Sequence, residues 1–125
     1  MEAGLVLYRG DDDYIALQRK HNQGSPTVTL STERGGWAEE PYRVPDPEQQ
    51  DIWLRLQRTA DGVIASYSLD GSTFTPLGAA IDASWLSGAR VGVLAEVESV
   101  SDTDAPFRFR DFTVDDTPLR FTSEW

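Results

Sequence analysis

Any chemistry in this chain must come from a single histidine and a surplus of carboxylates. His21 is the only histidine and there is no cysteine. A Ser-His-Asp triad would have to be built around His21. That residue stands beside Lys20 at the end of an alternating segment, just before the turn Asn22-Gln23-Gly24, and a solvated strand-end side chain is the simpler reading. The same counts exclude disulfides, thiolate catalysis, and metal sites built from several His or Cys. There is no glycine-rich phosphate loop and no Gly-x-Ser-x-Gly elbow.

Carboxylates are abundant, with 21 acidic against 11 basic residues. A glycosidase needs two of them facing each other across a substrate, about 5–9.5 Å apart. Glu39, Glu40, Glu96 and Glu98 are available, but solvated strand faces account for them as well, so the expectation is no enzyme activity. Ca²⁺ takes carboxylate and carbonyl oxygens. The run Asp11-Asp12-Asp13 and the segment Asp102-Thr103-Asp104 therefore keep calcium open as a cofactor, while a polar hairpin tip and a polar loop explain both without it. No cofactor is otherwise expected.

The remaining functional chemistry is stacking and hydrogen bonding. An aromatic ring suits the C–H face of a sugar, and Trp37, Tyr42, Trp53 and Trp85 are the candidates. Trp53, Arg55 and Gln57 point away from the apolar face of their segment, and Gln18 alternates similarly in another. Gln18, Trp37, Tyr42, Trp53, Arg55 and Gln57 form the candidate carbohydrate-binding set. For each aromatic taken singly, structural packing is the competing reading.

The elements that would position these residues are strands. Ala3 to Arg9 and Tyr14 to His21 flank the turn Gly10-Asp11-Asp12-Asp13, which reads as a hairpin. Thr27 to Thr32 is β-branched. Arg34 to Gln50 holds Gly35, Gly36, Pro41, Pro45 and Pro47 and reads as a long loop. Asp51 to Thr59 alternates cleanly, with Ile52, Leu54 and Leu56 on one face. Asp61-Gly62 and Asp70-Gly71 turn the chain between alternating segments. Ile81 to Ser87 allows one helical turn stopped by Gly88. Arg90 to Val97 reads as a buried strand, so Ile52, Leu54, Leu56, Val91 and Val93 are the expected core. In Pro106 to Val114 the parity of Phe107 and Phe109 against Phe112 and Val114 requires a β-bulge near Arg110-Asp111. Leu119 to Thr122 adds a short last strand.

Short strands with frequent turns in 125 residues mean one all-β domain over 1–125, a two-sheet antiparallel sandwich or barrel. A net charge of −10 repels a phosphate backbone, so nucleic acid is not an expected partner. No apolar run approaches a membrane span, and no secretory signal is recognisable within the chain.

The order of motifs resembles a known family. Ala3-Gly4-Leu5-Val6-Leu7-Tyr8 with Asp12-Asp13-Tyr14-Ile15 is similar to the opening hairpin of concanavalin A-like sandwich modules. Trp53-Leu54-Arg55-Leu56 followed by Tyr67-Ser68-Leu69-Asp70-Gly71-Ser72-Thr73-Phe74 resembles their central signature, with Phe74 in the usual Trp place. Arg90 to Ala95 and Phe109-Arg110-Asp111-Phe112 resemble their closing pair, with Arg110 in place of the usual Asp. Such modules are similar to the C-terminal domain of family 43 β-xylosidases, and the likeness runs from Ala3 to about Val114.

The resemblance implies a concanavalin A-like jelly roll, N-terminally truncated relative to longer members. It implies a non-catalytic accessory role in an extracellular, secreted carbohydrate-active protein. The expected partners are a polysaccharide or oligosaccharide and a neighbouring catalytic domain. A structural domain without a ligand is the alternative. If the first hairpin lacks its family-typical neighbours, Ala3 to Arg9 offers an open apolar edge, and a homodimer is expected.

Overall fold

Alternating apolar side chains and short polar turns build every long element of the computed structural model, which describes residues 2–21, 24–96, 109, 112–114 and 117–118. Strand β1 (Glu2–Gly10) turns through Asp11-Asp12 into β2 (Asp13–Lys20), with Leu5 opposite Leu17 and Leu7 opposite Ile15. Strand β3 (Thr27–Arg34) pairs with β2 and continues into β4 (Trp37–Pro45). Next come β5 (Trp53–Thr59), β6 (Gly62–Ser68) and β7 (Phe74–Pro76), which form a second antiparallel sheet in that order. A 3-10 turn at Ser84–Leu86 leads to β8 (Arg90–Glu96), which returns to pair with β1. The first sheet therefore runs β4-β3-β2-β1-β8. A two-residue pair, β9 (Thr113–Val114) with β10 (Thr117–Pro118), follows.

The two larger sheets face each other across a shared core. Ile15, Leu17, Val28 and Leu30 come from the five-stranded sheet, and Val63 and Ala65 from the three-stranded one. Leu77, Ala83 and Leu86 close the gap from the connection before β8. That connection is tied down where Val63 and Ile81 exchange backbone hydrogen bonds of 2.8 and 2.9 Å. Gly62 makes the approach feasible: a Cβ there would lie 2.0 Å from the Ile81 carbonyl oxygen, and its φ is +129°.

The all-β sandwich is as expected, and the chain turns at both Asp-Gly sites, the first one residue early: its loop is Ala60-Asp61, and Gly62 already belongs to β6. Ile52, Leu54 and Leu56 pack against the core while Trp53 and Arg55 stay exposed. Three expectations need correction. First, residues 34–50 are not a long loop, because much of the stretch is β4. Gly35 and Gly36, at φ +58° and +79°, form the tight turn into it. Its prolines are tolerated because β4 is an edge strand, and because Glu40 and Pro41 together oppose Ser31 in a bulge where no ladder N–H is needed. Second, Val91 and Val93 do not join the core: Val91 is 48% exposed and Val93 half-buried. Both lie on β8, at the margin that the narrower three-stranded sheet does not cover. Third, β1 is not an edge, since it is paired along its length with both β2 and β8. The bulge expected near Arg110-Asp111 and the strand expected over Leu119 to Thr122 fall outside the described residues.

Candidate functional site

In an antiparallel sheet, directly opposed residues share a face, so the register of the five-stranded sheet lays out its outer surface. One row across it reads Arg90, Tyr8, Tyr14, Glu33. Two rows on come Leu94, Gly4, Gln18 and Thr29, followed by Glu96, Glu2, Lys20 and Thr27. Gly4 lets β1 and β2 approach closely here, because a Cβ on it would lie 1.8 Å from the Leu17 carbonyl oxygen.

Over this face lies a cleft of about 750 Å³. Tyr8 and Tyr14 line one end, and Glu2, Lys20, Glu40 and Glu96 the other, with Gln18 between. The polar end is tightly organised. The Gln18 amide donates to Glu2 at 2.9 Å, both residues being buried. The Lys20 ammonium lies 2.8 Å from Glu40 and 3.5 Å from Glu2. Burial works against the Lys20 charge, but its bonds to Glu40 and its attraction to Glu2 prevail and raise its pKa. Burial, together with the nearby Glu33, Glu96 and Glu2, pushes the Tyr14 phenol above its ordinary value, so it stays neutral and keeps its O–H. The Ser31 hydroxyl, on the same lining, is buried without a hydrogen-bond partner. Two phenol rings at one end of the cleft, with fixed amide, ammonium and carboxylate groups further along it, form a surface that can stack on a sugar and bond the hydroxyls of a chain of sugars.

Of the six residues singled out from the sequence, the fold brings Gln18 alone into this cleft. Trp53, Arg55 and Gln57 lie on the outer face of the three-stranded sheet, on the other side of the sandwich. There Trp53 rests on the turn, where a Cβ on Gly71 would come within 2.9 Å of its ring. The Arg55 guanidinium lies 4.1 Å from the centre of the Phe74 ring. Trp37 is 72% exposed at the tip of the β3–β4 hairpin, its indole donating to Glu39 at 3.2 Å. Tyr42 faces inward and packs against the core beside Gly78.

Sequence reasoning missed Tyr8, Tyr14, Glu2 and Lys20. The signal for the tyrosines was present, since a hairpin closed at Gly10 and Asp13 with one irregularity sets them opposite each other. Glu40 meets Lys20 only because β4 is a strand. Asp13 is engaged by the Gly35 N–H at 3.0 Å and by Arg9 at 3.4 Å, and Asp11 accepts from Tyr8. Among the described residues no three acidic or histidine side chains converge as a metal site, while Glu98 and Asp102-Thr103-Asp104 lie outside those residues.

A two-sheet sandwich with an open cleft over its larger sheet defines a concanavalin A-like module. More specifically, the chain belongs to the family described as the β-xylosidase C-terminal concanavalin A-like domain, whose profile matches residues 1–112. That membership places it among accessory modules of glycoside hydrolases. No curated protein and no solved structure matches the chain.

Proposed function

We propose that this is a non-catalytic, extracellular module that binds carbohydrate in the cleft over the five-stranded sheet and so serves a neighbouring catalytic domain. The observation that carries this is one cleft holding the opposed pair Tyr8 and Tyr14 at one end and the Gln18–Glu2–Lys20 network towards the other. Stacking rings and pre-positioned polar groups along one cleft are what recognition of an oligosaccharide requires, and the family's attachment to β-xylosidases makes a xylose-based glycan the first ligand to try. Affinity electrophoresis of the chain through gels containing neutral xylan tests it. Migration should be retarded, and Tyr14→Ala should abolish the retardation. Unretarded migration of the native chain, or equal retardation of the variant, contradicts the proposal.

A second reading, a self-associating structural domain, is favoured by one observation. Val91 is exposed on the inner face of β8, beyond the cover of the smaller sheet. Light scattering over a concentration series separates the two, because a dimer needs twice the chain mass of 13.9 kDa.

A further inference from the structure

We infer that the cleft selects uncharged sugars and rejects uronic acids, an inference that rests on the carbohydrate reading above. The carboxylates of Glu2, Glu40 and Glu96 gather at one end of the cleft, where Glu2 and Glu96 are directly opposed across β1 and β8. Among the described residues Lys20 is the cation lining the cleft, and it is already engaged by Glu40 at 2.8 Å and Glu2 at 3.5 Å. A sugar carboxylate entering there finds, among the described residues, no uncommitted cation on the lining, and it meets the like charges of buried Glu2 and exposed Glu40 and Glu96 closer than the screening length of about 8 Å. Ionised carboxylates only accept hydrogen bonds. They match the hydroxyl donors of a neutral sugar and have nothing to offer an anion.

The discrimination is therefore built from repulsion as much as attraction. Calorimetry on the full chain at physiological salt tests it with two ligands: a neutral xylo-oligosaccharide, and the same backbone carrying a glucuronic acid branch. The account expects the acidic ligand to bind at least about tenfold more weakly. Glu96→Gln should narrow that ratio, because it removes a like charge while keeping the side-chain shape. Equal or tighter binding of the acidic ligand overturns the selectivity while leaving carbohydrate binding intact, and so does a ratio unchanged in Glu96→Gln. If neither ligand binds, the carbohydrate reading itself fails and the selectivity falls with it.

Discussion

Arg19 grips Asp46 with a bidentate fork along one edge of its guanidinium, Nε donating to Oδ2 at 2.7 Å and Nη2 to Oδ1 at 2.8 Å. The same guanidinium donates to the carbonyls of Gln49 at 2.7 Å and Gln50 at 3.1 Å, while Asp46 accepts from the Glu48 N–H at 2.7 Å. The Asp46 side chain is only 1% exposed. This cluster pins the chain where it leaves β4 of one sheet and crosses to β5 of the other.

Removing one partner of a buried, bidentate pair strands the other charge away from water. Asp46→Ala is expected to lower stability by about 3 kcal/mol. Urea unfolding followed by tryptophan fluorescence measures this directly. A loss below about 1 kcal/mol would mean that solvent reaches Arg19 as soon as its partner is gone.

Acid should act through the same site. Burial pulls the Asp46 carboxyl upward, but the Arg19 bonds and the Glu48 N–H outweigh it and hold its pKa below the ordinary aspartate value. Asp13, Asp70 and Asp82 are lowered too, chiefly by the backbone N–H groups of Gly35, Thr73 and Ser84 respectively. Each gives up its proton more readily folded than unfolded. Its contribution is therefore complete above about pH 3.9 and lost as pH falls through the folded value. In the native chain, the urea midpoint should drop steeply below about pH 4, and Asp46→Asn should flatten that drop. Identical pH profiles for the two proteins would remove Asp46 from the explanation.

Core position rather than residue type should decide the cost of truncation. Leu17 is fully buried between the sheets and Val91 is 48% exposed. Leu17→Ala is expected to cost about 2–5 kcal/mol, and Val91→Ala about 0.5 kcal/mol or less. Chemical denaturation of both variants checks the contrast. A large loss at Val91 would show that its face is covered in solution, by another copy or another segment.

Much of the fold was legible because its signals are local. Clean alternation in Trp53–Thr59 and the two Asp-Gly turns specify β5, β6 and their hairpin whatever surrounds them. What escaped reading depends on distant neighbours. Pro41 and Pro45 argue against a strand until an edge and a bulge are known to excuse them. Val91 and Val93 alternate like core residues, yet how much of a sheet its partner covers is not written in either strand. The cleft was the least legible part. It joins Glu2 of β1 to Glu96 of β8 and Lys20 of β2 to Glu40 of β4, pairs that become neighbours only through the strand order. Trp53 and Arg55 were conspicuous in sequence because they face outward, but the contacts they make are with Gly71 and Phe74 of their own sheet.

The measurement that bears most directly on the account is amide chemical-shift mapping of the labelled chain during titration with a neutral xylo-oligosaccharide. The largest perturbations should fall on Tyr8, Tyr14, Gln18, Lys20 and Leu94, which line the cleft, while Trp53, Arg55 and Gln57 on the opposite face stay still. Saturable shifts confined to Trp53, Arg55 and Gln57, or no saturable shift at any sugar concentration, would contradict the assignment of the cleft as the binding site.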